Sequence, residues 1–299
     1  MFFFVIFTAL LLIYPKESLS FAATGLNLWF QKMIPTLLPF MIITSLMIKL
    51  HLSDSFARLF SPIMKPLFSV SDYGAYCIFV GFLCGFPMGA KVIAEQMQYG
   101  NLSKKEGQYL LSFCNNIGPI YYISFVLPFI GEKTSFLLLF GMYGLPLLYG
   151  ICLRRIQYRD CHWKNTSSPK SFHLRLVHIL TCIDESIDSG IENITRLGGY
   201  MIFFNVLNLI PQKLLWLDTK TKLYLAPLFE ITSGIYGLSP AHKLYILCIL
   251  PIGGLSCIAQ TYSLIKNTGL SLLNYVVQKT LLTVITFFYY TIVFYFFYG

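Results

Sequence analysis

The sequence predicts an all-α polytopic membrane protein made of two inverted repeats, each with about three spanning helices and a broken re-entrant hairpin. Three observations predict it. Of 299 residues, 56% are hydrophobic and 12% are charged, about half the ~25% charge of a soluble domain. Apolar runs near the ~20 residues needed to cross a bilayer recur along the chain. Segments interrupted by Gly and Pro fall in corresponding places of the two halves, the sequence signature of a secondary transporter. The same figures exclude a soluble two-domain enzyme and a disordered chain.

The elements follow in order. Residues 1–14 are nearly all apolar and lack a basic n-region, so they read as a retained first helix rather than a signal peptide. A spanning helix follows from Leu26 to Ile48, with Pro35 and Pro39 inside it. His51–Val70 is amphipathic. Tyr73–Ala94 is apolar but carries Gly81, Gly85, Pro87 and Gly89, a poor continuous helix and a good broken one. Ser103 and Glu106 form a capping box before spanning helices at 108–130 and 135–153. Arg154–Arg175, with Arg154, Arg155, Arg159, Lys164, Lys170 and Arg175, is the clear hydrophilic loop. Leu176–Ser189 is an amphipathic approach to the apolar run 191–210, which Pro211 ends. Leu223–Leu238 is apolar around Glu230, Ala241–Tyr262 breaks at Gly253-Gly254, and Leu270–Tyr298 is a long aromatic helix. The resulting units are 1–153, the basic loop 154–175, and 176–299.

Internal similarity supports the halves. Gly85 and Gly254 stand 169 residues apart, as do Gly100 and Gly269, and Gly25 and Gly190 stand 165 apart. The net charge of +9 reads as loop charge that fixes orientation rather than as a nucleic-acid surface. With loop 154–175 cytoplasmic, the helices count back to a cytoplasmic N-terminus, with Lys49, Arg58, Lys65, Lys91, Lys104 and Lys105 on the same side. The first hairpin then lies at 73–94 and the second broken segment at 241–262. The eight cysteines form no CxxC pair, and most lie in apolar runs, as reduced buried residues do. Cys161 and His162 lack the second ligand pair of a zinc site. There is no HExxH, P-loop, GxSxG or paired-carboxylate pattern, so neither an enzyme nor a cofactor is expected.

Four motifs carry the candidate chemistry. In Gly81-Phe-Leu-Cys-Gly85-Phe-Pro87-Met-Gly89-Ala-Lys91, glycines let the backbone unwind and a ligand approach. An exposed half-helix N-terminus attracts anions, and Lys91 adds charge. Close helix packing explains the same glycines. In Phe113-Cys-Asn115-Asn116-Ile-Gly118-Pro119, two amides in an apolar run must be hydrogen-bonded, either to a polar ligand or across helices. In Glu230-Ile-Thr232-Ser233-Gly234, an ionisable group inside an apolar segment is a candidate for proton or cation coupling, helped by Thr232 and Ser233; at an interface it would merely face water. Gly253-Gly254-Leu-Ser256-Cys-Ile-Ala-Gln260 is the counterpart of the first motif without its lysine. The candidate solute-binding residues are Gly85, Pro87, Gly89, Lys91, Asn115, Asn116, Gly254, Ser256 and Gln260.

Together with Gly100-Asn-Leu-Ser103-Lys-Lys-Glu106, the first three of these motifs resemble the sporulation integral membrane proteins of the YlbJ type, over nearly the whole chain. That family lies within the wider group carrying the nucleoside-recognition Gate domain. It differs here at Cys84, where the family usually has Ser, and in Tyr121-Tyr122-Ile-Ser124 after the Gly-Pro. The resemblance implies a fold distantly like concentrative nucleoside transporters, with two hairpins meeting at midplane. It also implies a role in endospore formation, moving dipicolinate from the mother cell across the outer forespore membrane, with other sporulation membrane proteins as partners. A nucleoside or other small polar solute, and a non-transporting scaffold of the spore envelope, are the alternative readings.

Overall fold

The computed structural model describes residues 2–50, 52–159, 161, 163 and 176–297, and every regular element among them is helical. Five helical stretches are long and apolar enough to cross a membrane, or six if the bent pair Arg58–Phe68 and Asp72–Cys84, at 94°, counts as one. Helix α1 (Phe2–Ile13) has 12 residues, about 18 Å at 1.5 Å per residue, short of the ~30 Å hydrocarbon core. Helix α2 (Pro15–Lys49) is a long span with a π-helical turn at Trp29–Met33. Then come α3 (Ser53–Phe68), α4 (Asp72–Cys84) and α5 (Met88–Gln98). Helix α6 (Lys104–Cys114) and helix α7 (119–129) form one span broken at 115–118. Helix α8 (Phe136–Ile156) completes the first half. The second half holds α9 (Leu176–Leu207), α10 (Thr219–Phe229), α11 (Ile231–Tyr236), α12 (Lys243–Ile249), α13 (Gly254–Ile265) and α14 (Leu272–Phe297).

Helix starts follow the capping residues. Ser71, Ser103, Ser135 and Asp218 each accept a backbone N–H at the head of a helix, which satisfies a donor the helix cannot. The capping box at Ser103 is half formed. Ser103 Oγ accepts from Glu106 N at 3.2 Å, but the Glu106 carboxylate accepts from Ser71 N at 2.7 Å instead. It thereby ties the head of α4 to α6. Gly74 leaves room for it, since a Cβ there would sit 2.6 Å from Glu106 Oε1.

Contact register fixes how the spans run. Gly25 packs on Ile202, Trp29 lies on Gly198, and Gly190 packs on Ile42, so α2 and α9 are antiparallel. Trp29 Nε1 donates to Ile194 O at 2.8 Å, again 165 residues away. Gly150 packs on Phe113, and Tyr122 OH reaches Leu138 O, so α8 returns antiparallel to α6–α7. Gly141 meets Tyr290, and Tyr149 bonds Gln278, so α8 and α14 are antiparallel. Helix α14 therefore runs parallel to α6–α7, as the pairs Gln108–Ser271, Asn116–Lys279 and Tyr122–Tyr290 confirm.

This geometry corrects the 169-residue alignment of the halves. That offset sets α14 on α6–α7, and inverted counterparts cannot run parallel. Gly85 lies in a hairpin tip, with α4 and α5 as its arms. Gly254 lies at the break of a span, α12–α13. The hairpin of the second half is instead α10–α11, which turns back at Glu230, where Gly234 packs directly on Pro227. The two hairpins enter from opposite ends of the bundle. One end holds the Lys49–Glu185 pair at 2.6 Å and Gly269 beside Lys104. The other holds Glu17–Lys213 at 2.9 Å and Glu132–Lys243 at 2.8 Å. Lys164, Lys170, Arg175 and His162 lie outside the described residues.

Candidate functional site

Both hairpin tips, the first helix break and the helix that follows the second break come together around one cavity of about 320 Å³. Phe86 comes from the first tip and Glu230 from the second. Ile117 and Gly118 come from the first break, and Cys257 and Gln260 from the turn after the second. Leu28, Met33 and Leu37 of α2 and Leu197 of α9 close one wall, Tyr121 and Phe125 another, and Lys32 lies toward solvent. The size suits a single-ring solute, and the mainly apolar lining with a few polar groups is that of a small-molecule pocket.

The first tip is fixed by backbone. Gly85 has φ +80° and lies so close to Gly118 that a Cβ would collide with its main chain. Phe86 N donates to Asn116 O at 2.5 Å. Gly81 and Gly89 press from either arm on the Cys114 carbonyl. These glycines therefore serve close packing here. Pro87 and Lys91 lie off the cavity, on a separate recess of about 10 Å³. Lys91 is buried and paired with Glu95 at 2.6 Å, a partner one helical turn on that spends its charge.

The two amides have different tasks. Asn115 is used up within the protein: its Oδ1 accepts from Ala90 N, and its Nδ2 donates to Thr261 Oγ1 at 3.0 Å and Tyr275 OH at 3.1 Å. It locks α5, the break, α13 and α14 together. Asn116 Nδ2 donates to Phe113 O, and its Oδ1 accepts from Lys279 Nζ at 2.7 Å.

Lys279 is the residue the sequence reading missed. It is 0% exposed, and among the described residues no carboxylate pairs with it. Its ammonium faces the rings of Phe86 at 5.3 Å and Tyr275 at 5.8 Å. Burying an ammonium costs several kcal/mol. One charged hydrogen bond returns about 1.5–3 kcal/mol, and each ring face about 0.5–2 kcal/mol. The signal was present: a lysine inside the apolar final helix obeys the rule that singled out Glu230.

At the second tip, Glu230 is 2% exposed and caps α11, its carboxylate accepting from Thr232 N at 3.2 Å and Ser233 N at 2.7 Å. A helix N-terminus stabilises such a charge. Thr232 lines the cavity beside it, whereas the Ser233 side chain does not. Gly254, at φ +76°, packs on the carbonyls of Pro227 and Leu228, which joins the second break to the second tip. Ser256 is buried and accepts from Gln260 Nε2 at 3.0 Å, holding the Gln260 amide at the cavity wall.

Comparison with known proteins agrees with the resemblance read from the motifs. Residues 30–134 match the nucleoside recognition (Gate) family model. Over 222 residues, 69% of the chain, the sequence is 28% identical to the sporulation integral membrane protein YlbJ of Bacillus subtilis (strain 168). The matched part is 54% of that relative, so the chain spans about half its length. No solved structure matches. The chain is an integral membrane protein that resembles the Gate model over residues 30–134.

Proposed function

We propose that the chain is a secondary transporter or facilitator of endospore formation that moves dipicolinate from the mother cell across the outer forespore membrane. The observation that carries this reading is the meeting of two hairpin tips and two broken helices at one cavity. A structural scaffold has no need of such a cavity. In this reading the repeats are inverted, with α2 matched to α9, α4–α5 to α10–α11, α6–α7 to α12–α13, and α8 to α14. The antiparallel register of α2 with α9 and of α8 with α14 supports it, as does entry of the hairpins from opposite ends. Alternating access by rocking one repeat against the other suits that build.

The solute class follows from the lining and the relative. Phe86, Tyr121 and Phe125 offer ring faces to a flat aromatic solute, and the relative's name supplies sporulation. A dianion beside the Glu230 carboxylate is disfavoured unless a proton or cation enters with it, so Glu230, with Thr232, is the coupling group. The Gate match over 30–134 favours a second reading, a nucleoside held by Glu230, Thr232 and Gln260. Purified protein in liposomes, offered labelled dipicolinate or uridine, separates the two. Dipicolinate entry supports the first, uridine entry alone supports the second, and no flux of either from folded protein supports a scaffold.

A further inference from the structure

We propose that Lys279 is the counter-charge for an anionic solute, held in reserve behind the ring of Phe86. This rests on the reading of the cavity as the solute site. Lys91 cannot serve, because Glu95 already neutralises it and it faces a different recess. Lys279 has no such partner among the described residues; its ammonium makes one hydrogen bond, to the uncharged Asn116. Its remaining N–H groups face aromatic rings, which attract a cation without cancelling its charge. No carboxylate among the described residues offsets the ammonium, and a low-dielectric interior is where an anion gains most from such a group.

The position of Phe86 links that charge to the cavity. Phe86 lines the cavity, and its ring faces the ammonium of Lys279, which does not itself line the cavity. It belongs to the first hairpin tip, whose backbone is bonded to Asn116, the residue that holds Lys279. A flat anion arriving at the tip therefore meets the Phe86 ring before it meets the ammonium. Displacement of that ring brings carboxylate and ammonium into contact. Asn116 keeps the ammonium in place throughout, so the site is organised before the solute arrives.

The test is dipicolinate binding to the purified full chain, read by titration calorimetry alongside the melting temperature. Lys279→Met is expected to weaken dipicolinate binding by about a hundredfold, the loss typical of removing one partner of a desolvated charge pair. Lys279→Arg is expected to keep most of the affinity. Asn116→Asp places a carboxylate against the ammonium at the loss of the hydrogen bond to Phe113 O, and is expected to fold and to weaken dipicolinate to a similar degree. It decides the matter even if Lys279→Met does not fold. Wild-type affinity in Asn116→Asp and in any folded Lys279→Met would overturn the proposal and leave the cavity reading intact. Wild-type protein that is folded but binds no dipicolinate would overturn both.

Discussion

A buried carboxyl and a buried ammonium contribute to the two sides of the cavity in different ways. Glu230 lines it openly, and two backbone N–H groups hold it without an ionic partner among the described residues. Glu230→Gln keeps the shape and an acceptor oxygen but removes the charge. Uptake by that variant is expected to persist and to lose its response to an imposed pH gradient; a gradient response equal to wild type would remove Glu230 from coupling. Lys91 makes the opposite case. Lys91→Gln leaves Glu95 without its cation, so a lower melting temperature is expected with the preference between dipicolinate and uridine unchanged. A change in that preference would return Lys91 to the site. Glu230 could be read from sequence because an ionisable group in an apolar run is conspicuous. The i,i+4 partner of Lys91 was equally visible, at Glu95. Lys279 obeys the same rule; what the sequence does not show is that it meets Asn116 and Phe86 across the bundle.

At the scale of elements, the two hairpins were unequally legible. The first announces itself through Gly81, Gly85, Pro87 and Gly89, and the structure turns there. The second lies in a run that is largely apolar from 223 to 238, with Pro227, Glu230, Gly234 and Gly237 spread along it, while Gly253-Gly254 nearby offers a stronger pattern. Glycine records close approach of backbones. It does not record whether the approach is a hairpin tip, as at Gly85, or a break in a span, as at Gly254. The distinction predicts stability. A Cβ at Gly89 would lie 2.6 Å from Cys114 O and 2.9 Å from Asn115 Cα, main-chain atoms that cannot swing aside. Gly89→Leu is expected to cost about 3 kcal/mol and to abolish uptake. Gly100 has φ +74° and open space around it. Gly100→Ala is expected to cost about 1 kcal/mol, from backbone strain alone, and to retain uptake. Thermal unfolding in detergent compares the pair; equal losses would mean the hairpin arms are not packed as described.

For the molecule as a whole, inversion rests on parity. If α2, α6–α7 and α8 each cross once while α4–α5 turns back, the first half crosses three times and the second must start from the opposite side. Had α4–α5 crossed fully, α9 would run in the same sense as α2; had α10–α11 crossed fully, α14 would run in the same sense as α8. The ends of the bundle turn this into a measurement. Lys105 and Gln157 are exposed near the end that holds Lys49 and Glu185, and Lys133 and Lys220 are exposed near the end that holds Glu132 and Lys243. Single cysteines at these four positions, with the exposed Cys152 and the half-buried Cys161 replaced by Ser, are expected to react with an impermeant thiol reagent in two groups. Positions 105 and 157 should label together from the cytoplasmic face, as the clustered Arg154, Arg155 and Arg159 predict. Positions 133 and 220 should label together from the other face. Labelling of 133 and 220 from opposite faces would mean that α8 and α9 do not both cross between them, and the inverted reading would fail with it.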